Sequence, residues 1–475
     1  MKMKSILYTV GAALALYSCN NTVGDINDDP NSLTSSTYES IITGAEVGTA
    51  ILHSGETARR AGIFAGQFTG IDRQHEGFSN YTVVASDFDP LWYNAYVNTL
   101  RNALEAETAI REDGEGAPIA LGISQVLQAN GFGTVASLFG DIPFEEAGQV
   151  DISDPVYEDQ VEVYSKVQSL LDAAIANLQQ GTGRPATGSD IYFDGNPQQW
   201  IATAWTLKAR FYMHTKQYGQ AYAAARNGIS SPEDNMSSPH GTAQDDSNLY
   251  YQFFAVETRG ADLVVSDFMA SLIEPGAGNP IPGNYRGNAK TNEAGRFNYL
   301  LTKNSVGIQP NFNNGYAAQE ASAPVVTFEE NMLILAEAGL RSGGFDTGLT
   351  HLNEYRAYLN GGGYMANADA ADILYEAYVA DDFAAGGMEN TDGISATDAL
   401  LREILEERYV TLFGQVEPFN DTRRTLGETN VRVAVQPNTG NQLPQRFLYP
   451  QSEVDRNENT PTPIPNFFEP TDVNQ

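Results

Sequence analysis

A short apolar segment that ends at the only cysteine constrains this chain more than any other feature. A basic start precedes a mostly apolar run from Ser5 to Tyr17, which Ser18 and Cys19 follow. The run is too short to cross a bilayer as a stable helix, and a small residue before a cysteine is typical of a cleaved export signal. We therefore expect residues 1–18 to be a signal peptide that is removed before Cys19.

A lone cysteine cannot form a disulfide within its own chain, so the mature protein must fold around an apolar core alone. The chain has 475 residues, of which 41% are hydrophobic, and this is enough for a large core. Attachment of lipid to Cys19 would explain the thiol, since each buried CH₂ group contributes about 0.8 kcal/mol to anchoring. The alternative is an ordinary secretory signal with an incidental cysteine. We predict a lipidated Cys19 and a polar tether over residues 19–36.

The charge of the chain excludes some classes of partner. The formal net charge is −33 at pH 7, and such a surface repels nucleic acid and anionic lipid headgroups. No later segment approaches the roughly eighteen consecutive apolar residues that span a membrane. We therefore expect an acidic body that hangs from its anchor and binds no nucleic acid.

Apolar residues recur at a spacing of three to four along most of the chain, which is the period of an amphipathic helix. The pattern predicts helices over Tyr38–Ile63, Leu91–Ile110, Ile119–Leu138, Gln160–Leu178, Gln198–Thr215, Gly219–Ile229, Phe328–Arg341, Thr347–Leu359 and Thr397–Phe413. The predicted fold is therefore mainly α.

Two of the predicted helical hairpins share a register. The matching positions are Leu207, Ala209, Tyr218, Ala221, Ala225 and Gly228 in the first, and Ile334, Ala336, Phe345, Gly348, Leu352 and Tyr355 in the second. The shared pattern has a small residue in the first helix, an aromatic residue at the start of the second helix, and small or apolar residues after it. This pattern permits the close helix crossing of tetratricopeptide-like hairpins. Chance similarity between two amphipathic hairpins is the alternative. We predict a scaffold of about four such hairpins.

Residues 231–325 differ from the helical segments in composition. They are rich in Gly, Pro, Asn and aromatic residues, which favours turns and irregular structure. Loops carried by a rigid frame are a common place for binding. We expect one domain over residues 37–475, with residues 231–325 as a loop-rich insertion packed against tetratricopeptide-like helices.

Several short motifs follow one another in order along the chain. They are Asn27–Asn31 (NDDPN), Ser137–Ala147 (SLFGDIPFEEA), Asp154–Gln160 (DPVYEDQ), Leu207–Arg210 (LKAR), Leu335–Ala338 (LAEA), Ile404–Tyr409 (ILEERY), Phe419–Thr425 (FNDTRRT) and Arg446–Pro450 (RFLYP). Each motif alone is weak evidence. Their ordered set resembles the SusD/RagB family of nutrient-binding outer-membrane lipoproteins of Bacteroidetes, across essentially the whole chain.

The resemblance implies a lipoprotein of the outer membrane that faces the cell exterior. It implies capture of a nutrient, commonly a glycan, and delivery to a SusC-like TonB-dependent transporter on which the protein sits as a lid. Two features depart from the family pattern. Trp205 stands where related sequences often have Asn, and the segment after Cys19 has no dense acidic cluster, with Asp25 as its first acid.

The family motifs themselves are expected to be structural. Arg423, Arg424 and Arg446 occur among acids and aromatic residues, so we expect them to be paired or stacked within the fold instead of contacting ligand. Trp200 and Trp205 lie within a predicted helix, and we expect both to be buried.

No catalytic or metal-binding pattern is present in the sequence. Adjacent acids such as Glu406 and Glu407 point in different directions on a helix and cannot flank one bond. The five histidines show no metal-ligand spacing, and Asp25–Asp29 lacks the alternating acids, the Gly and the closing Glu of a calcium loop. We predict a binding protein without cofactor or metal. The alternatives are the same architecture binding peptides or another nutrient, and a surface glycoside hydrolase.

A sugar site needs an exposed aromatic ring for the C–H face and planar polar groups for the hydroxyl rim. Non-helical segments with both kinds of side chain supply the candidates. From the first half we select Gln67, Asp72, Arg73, Gln74, Tyr81 and Trp92, and from the second half Tyr285, Arg286, Asn311, Phe312 and Tyr316. The alternative for each aromatic residue is packing of its loop against the scaffold.

The anchor leads to a first prediction. In the Cys19→Ala variant we expect lipid labelling to be lost and a soluble, folded protein to be released, because Cys19 is the only thiol of the chain. The measurement is metabolic labelling with a fatty acid, followed by fractionation of membranes. Partition of the unlabelled variant with salt-washed outer membranes that contain no transporter partner would contradict it.

Overall fold

A computed structural model describes residues 37–114, 116–149, 151–257 and 259–475. The predicted signal peptide at 1–18, the lipidation at Cys19 and the tether at 19–36 lie outside the described residues. Among the helices in these ranges, none has the length and apolar character needed to cross a membrane.

Helices dominate the described chain, as predicted. In chain order the α-helices are α1 Tyr38–Ser54, α2 Glu56–Phe64, α3 Arg73–Ser79, α4 Asp89–Tyr93, α5 Arg101–Asp113, α6 Pro118–Phe139, α7 Gln160–Leu178, α8 Pro197–His214, α9 Tyr218–Ala225, α10 Leu249–Tyr251, α11 Asp267–Ile273, α12 Ala294–Leu300, α13 Phe328–Gly343, α14 Phe345–Asn360, α15 Ala396–Thr411, α16 Glu417–Arg424 and α17 Gln451–Arg456. Two π-helical segments, Asn94–Leu100 and Gln252–Val256, extend α4 and α10.

The predicted helix over Tyr38–Ile63 is divided by Gly55. A Cβ atom at this position would lie 2.6 Å from the carbonyl oxygen of Ile51, so only glycine fits the chain reversal between α1 and α2. A second glycine sets the packing of α1 on the next helix. A Cβ atom on Gly48 would lie 2.2 Å from the carbonyl oxygen of Asn98, so the two backbones are nearly in contact.

The predicted hairpins are confirmed, and four pairs of helices form the scaffold. They are α1 with the segment 94–113, α6 with α7, α8 with α9, and α13 with α14. Helix α6 is buried on almost every side, which explains why its apolar residues show no single face. In the last hairpin a Cβ atom on Gly348 would come within 2.6 Å of the Cβ atom of Leu340. Small residues therefore allow the close crossings that the repeat predicted.

The strands form five antiparallel two-stranded ribbons. The pairs are β1 Phe68–Gly70 with β5 Leu263–Val265, β2 Ile142–Pro143 with β3 Tyr157–Glu158, β4 Met236–Ser238 with β9 Ala323–Val326, β6 Thr291–Asn292 with β10 Leu374–Tyr375, and β7 Leu301–Lys303 with β8 Ile308–Pro310. Most strands come from the predicted loop-rich insertion at 231–325. The insertion is therefore irregular, as expected, but it is tied to the scaffold at several points.

Buried ion pairs join α13 to the C-terminal helices. Arg424 of α16 donates two hydrogen bonds of 2.5 Å to the carboxylate of Glu337, and Arg341 donates another of 2.9 Å. Arg408 of α15 lies 3.5 Å from the same carboxylate. Burial alone would raise the pKa of Glu337, but Arg424 and Arg341 lower it to about 2.

The arginines of the family motifs are buried and contact other groups of the protein. The guanidinium of Arg423 lies 4.0 Å from the ring centre of Phe419 and donates to the backbone oxygen of Gln445. Arg446 donates to the backbone oxygen of Phe139. Of the two tryptophans expected to be buried, Trp200 is fully buried, whereas Trp205 is only half-buried.

We predict that Glu337→Gln destabilises the protein by roughly 3–5 kcal/mol at neutral pH, because it leaves buried arginines without their counter-charge. The pKa of Glu337 is lowered from 4.5 to about 2, so its charge contributes stability that is fully present above about pH 4.5. That contribution is lost as the pH falls toward 2. Urea unfolding of both proteins across this range should show their difference shrinking.

Glu112→Gln on the exposed face of α5 is the control, because it removes one negative charge without touching a buried pair. Equal stability of Glu337→Gln and the parent protein at neutral pH would contradict the prediction.

Candidate functional site

The structure brings together two of the segments that the sequence selected for binding. Strand β1 pairs with β5 of the insertion, with Thr69 opposite Val264. Just beyond β1, the guanidinium of Arg73 lies 2.6 Å from the carboxylate of Asp262. The first candidate loop and the insertion therefore share one surface, which is what a site built from both halves requires.

Six of the predicted binding residues are accessible to a ligand. Asp72, Arg73 and Gln74 are exposed, and Tyr81, Tyr285 and Phe312 are half-buried. Asp72 caps α3 by accepting a hydrogen bond from the backbone N–H of Arg73. The hydroxyl of Tyr81 accepts a hydrogen bond of 3.0 Å from the backbone N–H of Asn438.

The side chains of the other five predicted residues are buried, namely Gln67, Trp92, Arg286, Asn311 and Tyr316. Gln67 donates to the backbone oxygen of Tyr409 and accepts from the backbone N–H of Gly414. Asn311 accepts from two backbone N–H groups of its own turn. Tyr316 packs against Tyr250 and Phe413. Gln67 and Asn311 therefore satisfy backbone groups of the fold, and none of Gln67, Arg286, Asn311 and Tyr316 lines one of the large clefts described below.

Arg286 belongs to a buried ion network. It donates hydrogen bonds of 2.8 Å to Glu403 and 2.9 Å to Glu407. Burial raises the pKa of Glu403 well above its usual value, whereas Arg296 and Arg286 overcome the effect of burial and lower the pKa of Glu407 to about 2. No local pattern predicts this burial, because Glu403 and Glu407 come from α15, far away in the chain.

A cleft of about 650 Å³ lies beside the β1–β5 ribbon, and we name it the loop cleft. Its walls include Thr69, Ile71, Ile281, Asn284 and the segment 434–438. Ile71 and Ile281 are exposed. The loop cleft contains apolar and amide groups, and the one aromatic ring of its lining, that of Phe268, is half-buried.

A second cleft, of about 620 Å³, contains the aromatic groups, and we name it the aromatic cleft. Its walls carry Trp92, Tyr93 and Tyr96 from α4 and the following π-helical segment, and Glu453 and Arg456 from α17. Trp92 is only 6% exposed and stacks at 6.2 Å and 14° on Tyr157. Tyr93 is 57% exposed. It is therefore Tyr93, and not Trp92 as expected, that offers a free ring face.

Polar groups border the aromatic cleft. Glu453 accepts hydrogen bonds from the hydroxyl of Tyr157 at 3.0 Å and from the side-chain amide of Asn457 at 3.2 Å. Burial and the charge of Glu453 raise the pKa of Tyr157, so this hydroxyl stays protonated. Asp89 accepts from the backbone N–H of Ser452 at 2.8 Å. Arg456 is exposed and forms no ion pair with another described residue. Its guanidinium is therefore available as a donor.

A third cleft, of about 680 Å³, lies on the other side of the segment 435–437. Its lining includes Lys216, Arg432, Gln436 and Phe468. Phe468 is half-buried and packs against Tyr81 and Phe467, so this cleft offers charged and amide groups with little free ring surface.

One group of carboxylates could hold a cation by geometry. Oxygens of Asp141, Asp159 and Asp472 lie within 4.8 Å of one another. Burial raises the pKa of Asp141, and the charges of Asp472 and Asp159 add to this effect. Asp141 and Asp159 both accept hydrogen bonds from backbone N–H groups at the start of α7. These contacts give the carboxylates a structural role without an ion.

The sequence-based selection missed Tyr93, Tyr96 and Arg456. Tyr93 follows Trp92 directly, but on a helix consecutive side chains point in different directions. Which of the two faces solvent depends on Tyr157 and Phe139, whose rings pack against Trp92. Arg456 reaches the cleft only because the C-terminal α17 folds back beside α4, and no local pattern predicts that.

Comparisons with known proteins agree with the fold. The profile of the SusD-like family described as "Starch-binding associating with outer membrane" matches residues 30–450. Similar solved structures include a SusD/RagB family protein from Bacteroides thetaiotaomicron, with 20% identity and a TM-score of 0.69 over 90% of this chain and 95% of that chain. No curated protein sequence matches.

Two further solved structures have the same fold. A chitin-binding SusD homolog from Flavobacterium johnsoniae has 16% identity and a TM-score of 0.67 over 93% of this chain and 99% of that chain. A SusD homolog from Bacteroides fragilis has 17% identity and a TM-score of 0.67 over 93% of this chain and 100% of that chain. At these identities the structural matches establish the architecture, while the family profile covers most of the chain.

Proposed function

Since the chain belongs to the SusD-like family, described as starch-binding and associating with the outer membrane, we propose that it captures an oligo- or polysaccharide at the cell surface. It delivers this glycan to a SusC-like TonB-dependent transporter of the outer membrane. Lipid on Cys19 holds the protein to that membrane, with the described domain facing the cell exterior.

The aromatic cleft supports glycan binding. The free ring of Tyr93 can stack on the C–H face of a sugar, because that face is apolar and flat. Glu453 and Asp89 can accept hydrogen bonds from hydroxyl groups, and the guanidinium of Arg456 can donate one. A cleft of about 620 Å³ has the size of a site for several sugar units or for part of a chain. The exposed Tyr93 at a polar-edged cleft is the observation that carries the proposal.

The proposal is binding without catalysis. Glu453 and Asp89 both accept hydrogen bonds from groups of the fold, so each carboxylate already has a structural role at the edge of the cleft. An oligosaccharide incubated with the protein should therefore be recovered unchanged. The solved chitin-binding homolog makes chitin oligosaccharides suitable members of the ligand panel, next to starch and to peptides.

We predict that Tyr93→Ala weakens glycan binding by about 1–3 kcal/mol, the range of an anchoring aromatic residue. Stability should change by less than about 0.5 kcal/mol, because the side chain is exposed. Calorimetry with the best ligand of the panel measures affinity, and thermal unfolding measures stability. Tyr285→Ala is the matched control, because it removes the same side chain from the insertion.

The two variants separate the two clefts. Loss of affinity in Tyr285→Ala but not in Tyr93→Ala would move the glycan site from the aromatic cleft to the insertion beside the loop cleft. Selective retention of peptides over every polysaccharide of the panel would replace the glycan proposal by the peptide alternative.

The delivery step leads to a separate prediction. Capture of the tagged protein from native outer membranes in mild detergent should recover a large TonB-dependent transporter, since a lid must cover an interface larger than about 1,200 Å² to be stable. The Cys19→Ala variant, added to membranes of a strain without the native protein, should recover the same transporter. If neither the tagged protein nor the Cys19→Ala variant recovered a TonB-dependent transporter, the proposal that the protein acts as a lid on such a transporter would be ruled out.

A further inference from the structure

A small pocket of about 130 Å³ lies apart from the three clefts, between the β4–β9 ribbon and the segment that contains α12. Its walls carry three tyrosines, Tyr299, Tyr316 and Tyr364, and one carboxylate, Glu329. It shares no lining residue with the aromatic cleft or the loop cleft. The glycan proposal therefore makes no use of this pocket.

The carboxylate of Glu329 is buried without a counter-charge. Its oxygens accept hydrogen bonds from the hydroxyl of Tyr358 at 2.5 Å and from the side-chain amide of Asn235 at 3.1 Å. No Lys, Arg or His nitrogen of the described residues lies within 4.0 Å of it. The neighbouring Glu330 differs, because Arg210 forms an ion pair of 2.5 Å with it. Burying a carboxylate that no cation pairs is unfavourable, so a cation in this pocket would be stabilised.

The tyrosines add a second attraction for positive charge. The ring centres of Tyr299 and Tyr364 lie 5.8 Å apart with a 59° angle between the planes, so the rings form two sides of an open box. Tyr316 contributes a third aromatic wall. The face of an aromatic ring carries partial negative charge and attracts an ammonium group within about 6 Å of its centre. Burial and the charge of Glu329 raise the pKa of Tyr299 to about 12, so the phenol itself is neutral.

Arg296, whose charge acts on Tyr364 of the pocket wall, does not replace a ligand. The guanidinium of Arg296 pairs with Glu293 at 3.2 Å and with Glu407 at 2.8 Å. Its charge is therefore paired with carboxylates that do not line the pocket.

The size and the opening of the pocket define the ligand. A volume of about 130 Å³ holds roughly four water molecules at about 30 Å³ each, which is too little for a sugar ring with its hydroxyl groups. The exposed Ser322 marks the open side. We propose that this pocket binds an organic ammonium group, whose positive charge pairs with Glu329 between the tyrosine rings while the rest of the ligand extends past Ser322.

The test uses choline and its uncharged isostere dimethylbutanol, in which carbon replaces nitrogen. Calorimetry on the mature protein should detect choline binding, and dimethylbutanol should bind at least about tenfold more weakly, since only the charge differs. Glucosamine and N-acetylglucosamine form a second pair, in which acetylation of the nitrogen removes the positive charge of the amino sugar. Binding of glucosamine but not of choline would assign the pocket to amino sugars.

Two variants connect the binding to this pocket. Glu329→Gln removes the charge with little change of shape, and Tyr299→Leu removes one ring and keeps the carboxylate. Each should weaken choline binding at least about tenfold. Glu320→Gln is the control, because it removes an exposed carboxylate from the preceding loop. Binding to Tyr93→Ala should be unchanged, which separates failure of this proposal from failure of the glycan site.

Equal affinity for choline and dimethylbutanol would overturn the proposal, because the pocket would then select apolar volume and not charge. Unchanged choline binding in both folded variants would also overturn it. Competition by potassium or calcium ions at concentrations below that of choline would assign the pocket to an inorganic cation instead.

Discussion

The architecture depends on buried ion pairs that join helices distant in sequence. Glu330 and Glu337 lie two turns apart on α13 and therefore on one face of that helix. The first pairs with Arg210 of α8 at 2.5 Å, and the second with Arg424 of α16 at 2.5 Å. Such pairs add little net stability compared with apolar packing, but a misaligned helix would leave a charge buried alone. The pairs therefore fix how α13 is aligned with α8 and with α16, and this alignment positions the loops between these helices.

The buried charges nearly balance one another, which leaves the surface acidic. Among the described residues nine arginines are buried, and thirteen acidic side chains are buried with them. Most of the net charge of −33 therefore lies outside the buried core. A neutral glycan is not repelled by such a surface, whereas nucleic acid is. An ammonium group would be attracted to it, in agreement with the pocket at Glu329.

The loops are held by contacts that connect the two halves of the chain. The ring of His75 is buried between the carboxylates of Glu56 at 3.8 Å and Asp262 at 3.7 Å, beside the pairing of β1 with β5. The loop cleft lies where the insertion meets the C-terminal segment 434–438, and the aromatic cleft lies where α17 meets α4. Tyr93 and Arg456 approach one another only because α17 returns to α4. The proposed site therefore depends on the return of the chain to α4 and not on one local motif.

The sequence by itself determined the helices, the four hairpins, the irregular insertion and the family, because periodicity and ordered motifs are local properties that each segment carries alone. It also predicted the structural use of Arg423, Arg424 and Arg446 correctly, since arginines among acids and aromatic residues tend to pair. Tertiary structure decided which side chains face solvent. Ligand-binding residues are often polar or aromatic, and so are Gln67, Arg286, Asn311 and Tyr316. However, Gln67 and Arg286 form hydrogen bonds with residues more than a hundred positions away in the chain. The exposure of a side chain depends on how the whole chain packs. Only the fold could therefore show that Trp92 is buried and that its neighbour Tyr93 is exposed.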